Sequence, residues 1–456
     1  MKIIVAGDGK VGFTLSEHLS REGHDITIID NRKDVLQKTI EALDVITIKG
    51  NGASVSVLER AGAKEADLLI AATSTDELNM LCCLLAKKLG VKNTIARIRN
   101  PEYNEQLYMM KDDMGLSMVV NPEQTAAMEI SHLIYFPSAI NVGVFADRRV
   151  YLVEYKVQPD NPLAGETVSR IHQDFAEDVL ICAVNRGQET FIPKGDFVIE
   201  ADDHIYMAGE YESIRQYIMS LGHRDNKVRS AIIVGGGLIA QYLSRILTKY
   251  GVELKIIEKS KSKCEHLCES VPEALIIHGD GTEKELLDSE GIDKVDAFVA
   301  LTDMDEENLI MSLYAAYKDV SKVITKINRL EYTDVIQKAG VDMVISPKYI
   351  AANHIVRYVR GMQKEKGSHI RTLYRIMGKS AEVVEFVATS STKHLGKPLS
   401  ELPFKKDLLI TTIVRNKDVI IPKGNDSILE GDHVIVATTM KQLEDLNEIF
   451  RNKGQA

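Results

Sequence analysis

The feature that most constrains this chain is a strand, glycine loop, helix and strand written twice. "KIIVAGDGKVGFTLSEHLSREGHDITIID" ends on Asp30 and "AIIVGGGLIAQYLSRILTKYGVELKIIE" ends on Glu258, with Gly235 and Glu258 each 228 residues beyond Gly7 and Asp30. A continuous apolar run before a tight turn reads as a buried parallel strand. In the first copy Gly7 permits the turn, Gly9 lets backbone approach a pyrophosphate, and Gly12 lets the helix pack close to the strand. Gly23 stands where that helix needs its C-terminal cap. Asp30, about twenty residues beyond the loop, stands where a carboxylate holds ribose hydroxyls. It argues against a 2′-phosphate, hence for NAD or an adenosine nucleotide over NADP. In the second copy Gly235, Gly237, Ala240 and Glu258 take the same places.

The duplication runs far past the loop. "IKGNGAS" (48–54) is answered by "IHGDGTE" (277–283), "ADLLIAATSTDELNM" (66–80) by "VDAFVALTDMDEENL" (295–309), and "IARIRNPEY" (95–103) by "ITKINRLEY" (324–332). "FIPKGD" (191–196) is answered by "IIPKGN" (420–425), each followed by an Asp-His pair, Asp203-His204 and Asp432-His433. A bipartite unit of roughly 225 residues is repeated in tandem. The first part of each unit alternates strands and helices, which predicts an α/β fold with a doubly wound parallel sheet. The second part has short β-rich segments such as "YLVEYKV" and "DHVIVAT", close turns and few helical stretches. Charged connectors, "GHRDNKVRS" and "RGMQKEKGSH", mark the joins. The expected domains are 1–137, 138–224, 225–365 and 366–456.

Bulk properties narrow the function. A chain of 456 residues has room for several cores, and a net charge of −10 disfavours a dedicated nucleic-acid binder. No apolar run reaches the length of a membrane span, and the first strand begins at once, without a signal peptide. Five cysteines in a chain this long form no disulfide framework. The expected location is the cytosol, with docking on a membrane partner still open.

On "GDGKVG" with Asp30, "AATSTDELNMLCCLLAKKLG", "ARIRNPEY" and the paired "IPKG" modules, the chain resembles the TrkA family. These are the tandem RCK-domain regulatory subunits of Trk-type bacterial and archaeal potassium uptake systems. The resemblance covers essentially the whole chain. It implies two Rossmann-like RCK N-terminal domains, each followed by a small α+β RCK C-terminal domain. It also implies a homotetramer whose eight units form a ring beneath a membrane-embedded potassium pore subunit, biased by nucleotides between conformations that open or close the pore. NAD(H), ATP and ADP are the implied regulatory ligands.

The residues offer a matching chemistry. In the loop of Gly7, Asp8, Gly9, Lys10, Val11 and Gly12, backbone amides at Gly9 to Gly12 and the helix N-terminus that follows would hold pyrophosphate. Gly235, Gly236, Gly237, Leu238, Ile239 and Ala240 form the second such loop. The Lys10 side chain in its loop and Arg97, after the fourth strand, would add charge near phosphate. Family resemblance gives the position of Arg97 that role, and Arg99 is a second candidate; the alternative is solvated surface charge. Ala72, Thr73 and Ser74 end a strand where such folds contact ribose or nicotinamide, or simply turn. Asn51 and Asp280 follow the third strand of each copy, near an expected adenine. Lys326 replaces Arg97 and Leu238 replaces Lys10, so the two sites are expected to differ in ligand or affinity.

Other clusters carry less. Cys264 and Cys268 flank His266 but lack further ligands, and Cys82-Cys83 lie in an apolar helix, so packing is the better reading. The acidic residues of "TDELN" and "DMDEEN" open helices, where ordinary dipole pairing accounts for them as well as a cation does. The amphipathic helices at 123–134 and 348–359 fit domain core or dimer contact equally. An NAD-dependent oxidoreductase is the main rival, but it needs an acid or base constellation beside the nicotinamide, and the small repeated modules show none. The expectation is a regulator and not an enzyme.

Overall fold

The structure, a computed structural model, describes residues 1–103, 113–136, 139–175, 178–187, 189–221, 228–328, 336, 339, 341, 343–362, 370–376, 381–440, 443 and 445–451. The three expected domain boundaries lie outside these residues, as do most of both charged connectors and the end of "ITKINRLEY".

Four sheets form. The first holds β1 (Lys2–Ala6), β2 (Asp25–Asp30), β3 (Ile46–Lys49), β4 (Leu68–Ala71), β5 (Asn93–Arg97) and β6 (Met118–Val120). Every pairing is parallel, in the order β3-β2-β1-β4-β5-β6. The order reverses between β1 and β4, so the crevice for a ligand opens at their carboxyl ends. Apolar side chains on both faces make this arrangement stable: Ile3, Ile4, Val5 and Leu68–Ala71 are buried between flanking helices.

The third sheet repeats the first, with β12 (Ser230–Val234), β13 (Glu253–Glu258), β14 (Leu275–His278), β15 (Ala297–Ala300), β16 (Lys322–Lys326) and β17 (Met343–Ile345). Its order, β14-β13-β12-β15-β16-β17, is the same. The second and fourth sheets are small and antiparallel. β7 (Asn141–Phe145), β8 (Val150–Lys156), β9 (Val179–Arg186), β10 (Glu189–Phe191) and β11 (His204–Gly209) make one; β18 (Ile370–Arg375), β19 (Glu382–Val387), β20 (Leu408–Arg415), β21 (Asp418–Ile420) and β22 (His433–Thr438) make the other.

The chain gathers like with like. Met1–Ser131 and Val228–Val356 form one compact unit, containing both parallel sheets. His132–Lys227 and Arg357–Ala456 form the other, containing both antiparallel sheets. Within this second unit the two small sheets share one apolar core, in which Leu152, Cys182 and Tyr206 meet Val383, Val414 and Ile435. Repeat order along the chain gave no sign of this pairing. The two amphipathic helices bury Ala126, Ala127, Ile130, Ala351, Ala352 and Ile355, so their apolar stripes are core. Among the described residues no helix is long and apolar enough to cross a membrane.

One histidine ties the second unit's stability to pH. Burial, and then the Arg148 charge, depress His132 from 6.5 to about 4. The stabilisation from keeping it neutral is complete above pH 6.5 and is lost progressively as pH falls toward 4, about 3 kcal/mol in all. His132→Phe is therefore expected to show a shallower fall in melting temperature across that window. Equal slopes for the variant and the parent would refute the assignment.

Candidate functional site

Each glycine loop is built by steric necessity. Gly7 has φ +100°, and a Cβ there would lie 2.6 Å from the Ala72 carbonyl oxygen. Its N–H donates to the Ile29 carbonyl at 2.8 Å, carrying the parallel β1–β2 ladder one bond past the end of β1. Gly12 sits so close to the loop that a Cβ would meet the Gly7 oxygen at 1.9 Å. Gly9, the N-cap of the helix Lys10–Arg21, has nothing within 4 Å of a Cβ position, as does Gly237 before Leu238–Lys249. The space a phosphate needs in front of both helix N-termini is open. Lys10 is the first residue of its helix and not part of the loop, and Leu238 is its counterpart.

The acidic strand ends brace these loops. Asp30 Oδ2 accepts from the Asp8 N–H at 2.8 Å, and Oδ1 accepts from the Arg32 N–H at 2.9 Å. Glu258 repeats both contacts, accepting at 2.8 Å from Gly236 N–H and from Ser260 N–H. The first copy adds something the sequence reading missed: the Arg32 guanidinium approaches both Asp30 oxygens, at 3.2 and 3.4 Å. Burial pushes the Asp30 carboxyl up, but the Arg32 side chain and the two backbone donors together hold it below its ordinary value. Asp8, buried and bonded by Thr39 Oγ1 at 2.6 Å, is shifted the other way, chiefly by burial.

A second missed device fixes the ends of β4 and β5. Asn79 Oδ1 accepts from both the N–H and the hydroxyl of Thr73 at 2.7 Å, while its amide donates to the Arg97 carbonyl at 2.8 Å. Asn308 does the same between Thr302 and the Lys326 carbonyl. Asp76 Oδ2 accepts from the N–H groups of Arg99 and Asn100 at 2.8 Å, and Asp305 Oδ2 accepts from Asn328. The acids of "TDELN" and "DMDEEN" thus do more than complement a helix dipole. The signal was present in the spacing, Asp76 to Asn79 and Asp305 to Asn308, shared by both copies.

The two cations, Arg97 and Lys326, are the last residues of β5 and β16. Arg97 Nη2 lies 3.3 Å from Glu123 Oε1, and both side chains are largely buried. Arg97 Nε and Glu123 Oε2 are buried and find no hydrogen-bond partner among the described residues. Burial lowers the Arg97 pKa, with Glu123 opposing it. Lys326 Nζ lies 3.2 Å from Asp303 Oδ1. Asn51 and Asp280 close local turns, accepting from Ala53 and Thr282 N–H groups. Ser74 gives its carbonyl to Arg99 Nη2 at 2.8 Å.

The two copies open on one cleft of about 780 Å³ within the first unit. Gly235 through Ala240, Glu258, Asp280 and Lys326 line it from the second copy, and Gly9, Lys10, Val11, Ala72 and Arg97 from the first. Gly7, Asp8, Gly12, Asp30, Asn51, Thr73 and Ser74 are not among its lining residues. The copies also touch: the Tyr242 hydroxyl donates to the Arg99 carbonyl at 2.9 Å and accepts from Asn121 Nδ2 at 2.9 Å. Among the described residues no group of three or more His, Cys, Asp or Glu is placed to hold a metal ion. Cys264 is buried with its thiol pushed up by burial, and Cys268 is exposed.

Sequence comparison adds an independent line. Residues 3–122 and 231–347 match the TrkA-N domain, and residues 152–222 and 383–451 match the TrkA-C domain. The chain is 34% identical over 459 residues to the Trk system potassium uptake protein TrkA homolog 1 of Methanosarcina mazei, covering 99% of this chain and 100% of that one. It is 34% identical to the Trk system potassium uptake protein TrkA of Halomonas elongata, covering 99% of both. Among solved structures, the GsuK RCK domain superposes with a TM-score of 0.64 at 19% identity, covering 96% of this chain and 92% of that one. The GsuK channel bound to NAD superposes with a TM-score of 0.64 at 19% identity, covering 98% and 78%.

Proposed function

This chain belongs to the TrkA family, and from that premise we propose that it is the nucleotide-sensing regulatory subunit of a Trk-type potassium uptake system. It gates a membrane-embedded pore subunit from the cytoplasmic face, through ligand-dependent conformations of a homotetrameric ring, and it is not an enzyme. Its domains are two RCK N-terminal domains at 1–137 and 225–365 and two RCK C-terminal domains at 138–224 and 366–456. The observation that carries this reading is a cleft lined by the whole second glycine loop, by Gly9, Lys10 and Val11 of the first, and by both buried cations, Arg97 and Lys326. Open helix N-termini, acceptor carboxylates at Asp30 and Glu258, and a buried guanidinium N–H with no partner among the described residues form a set of donors and acceptors suited to a nucleotide. The names of the curated relatives support the potassium system, and the NAD-bound GsuK channel supports NAD(H) as a ligand, with ATP and ADP the other nucleotides proposed.

Arg97 is the lever in this mechanism. A ligand shifts a conformational equilibrium only through unequal affinity for the two states. Arg97 bonded to Glu123 in one state and to phosphate in another supplies that inequality. The test combines calorimetry of the full chain with potassium flux through a reconstituted Trk pore. Asp30→Ala is expected to weaken NAD at the first site by about tenfold to a hundredfold, the worth of a charged hydrogen-bond acceptor. Arg97→Ala is expected to flatten the nucleotide dependence of flux. Flux indifferent to this protein and to nucleotides, or substrate turnover with NAD, would overturn the reading.

A further inference from the structure

The two buried cations of the cleft are neutralised in different ways. Arg97 is held by Glu123, and the two side chains are only 18% and 17% exposed, so an exchange there has to free a buried carboxylate. In the second copy Lys348 stands where Glu123 stands in the first. Lys326, 11% exposed at its side chain, instead bonds Asp303, whose side chain is 95% exposed. Ser74 is the counterpart of Asp303 in the first copy, so this carboxylate belongs to the second site alone.

Asp303 is surrounded by positive charge from both copies. Lys326 first, and then Lys263 and Lys10, hold its carboxyl below the ordinary value, with burial opposing them. Lys10 heads the phosphate helix of the first copy, so the carboxylate lies in the field of both loops. Asp303, Lys326, Lys263 and Lys10 all line the one cleft. A buried ammonium needs an anion close by, whereas an exposed carboxylate gives up little when it turns to water.

We propose that Asp303 is a built-in competitor for phosphate at the second site: it occupies Lys326 when no ligand is bound and yields only to an anionic group of the ligand. This rests on the nucleotide reading above and adds a selection rule to it. A nucleotide with a phosphate able to reach Lys326 exchanges one anion for another. A ligand without that phosphate leaves the Lys326–Asp303 pair standing and gains nothing from it. The second site therefore selects nucleoside di- and triphosphates by terminal charge, and the first site, with Arg97 already tied to Glu123, does so less.

The test titrates ATP, ADP and adenosine into the full chain and into Asp303→Asn, Lys326→Met and the double variant. Asp303→Asn is expected to tighten ATP and ADP roughly two- to fivefold at one site per chain, the worth of an ion pair with an exposed partner, and to leave adenosine unchanged. Lys326→Met is expected to weaken ATP about tenfold or more. In the Lys326→Met background, Asp303→Asn is expected to have no effect, because the pair it releases is gone. If Asp303→Asn changes nothing, or tightens ATP equally in both backgrounds, the exchange is refuted and Asp303 acts at most as a diffuse repulsive charge. If no version of the chain binds any of the three ligands or NAD, the nucleotide reading falls with it.

Discussion

Gly12→Ala is expected to dismantle the first glycine loop, while Ala240→Gly is expected to be nearly silent in the second. A methyl group at Gly12 would lie 1.9 Å from the Gly7 carbonyl oxygen, a backbone atom that cannot move aside alone. Relief requires the helix Lys10–Arg21 to back away from β1, opening a core that includes Val11, Leu15 and Leu19. The expected loss is about 3 kcal/mol or more, the range for backbone clashes and overpacking in a dense core. The second copy already houses a fully buried methyl group, Ala240, at the same position. Removing it costs about 1 kcal/mol of helix propensity. Urea melts of both variants give the contrast directly, and similar losses for the two would contradict this account of the loops.

The second large effect belongs to the small modules. Asp203 is fully buried and accepts from Arg186 Nε and Nη2, each at 2.8 Å, and from the Glu200 N–H at 2.8 Å. Asp432 repeats the arrangement with Arg415 at 3.0 and 2.9 Å and with the Leu429 N–H at 2.7 Å. A planar guanidinium fork bonded to both oxygens of a carboxylate fixes both groups in one orientation. Asp203→Ala or Asp432→Ala removes the acceptor and strands three donors. Because each arginine side chain stays 33% exposed, water recovers part of the cost. The expected destabilisation is about 2–3 kcal/mol, below that for breaking a wholly buried pair. A change under 1 kcal/mol in chemical denaturation would show that the fork is replaceable by solvent.

Much of this architecture is legible in the residues, for identifiable reasons. Parallel strands buried on both faces must be apolar runs, and β1, β4, β12 and β15 are such runs. Glycines at Gly7 and Gly235 are demanded by positive φ, so turn and sequence coincide. The Asp-His pairs at 203–204 and 432–433 stand out as repeats, but their partners do not. Arg186 lies on β9 and Glu154, which meets His204 Nδ1 at 2.8 Å, lies on β8. Only antiparallel pairing with β11 brings them together. The repeated spacing of Asp76 to Asn79 flags Asn79, but not what it braces, because the Thr73 and Arg97 groups it joins belong to different strand ends. The shared cleft depends on packing of one copy against the other, which no local pattern encodes.

The pairing of like with like within the first unit has a consequence for how the chain comes into being. Residues 1–131 leave the ribosome well before Tyr242, whose hydroxyl completes the bonds of Asn121 and Arg99. At a synthesis rate of 5–20 residues per second the first nucleotide fold waits roughly 5–25 s for its partner face. A chain of half this length would have to meet that face by diffusion, as a second molecule at cellular dilution. Joining both copies in one polypeptide replaces that search with a tether, so the encounter proceeds at a fixed effective concentration however scarce the protein is.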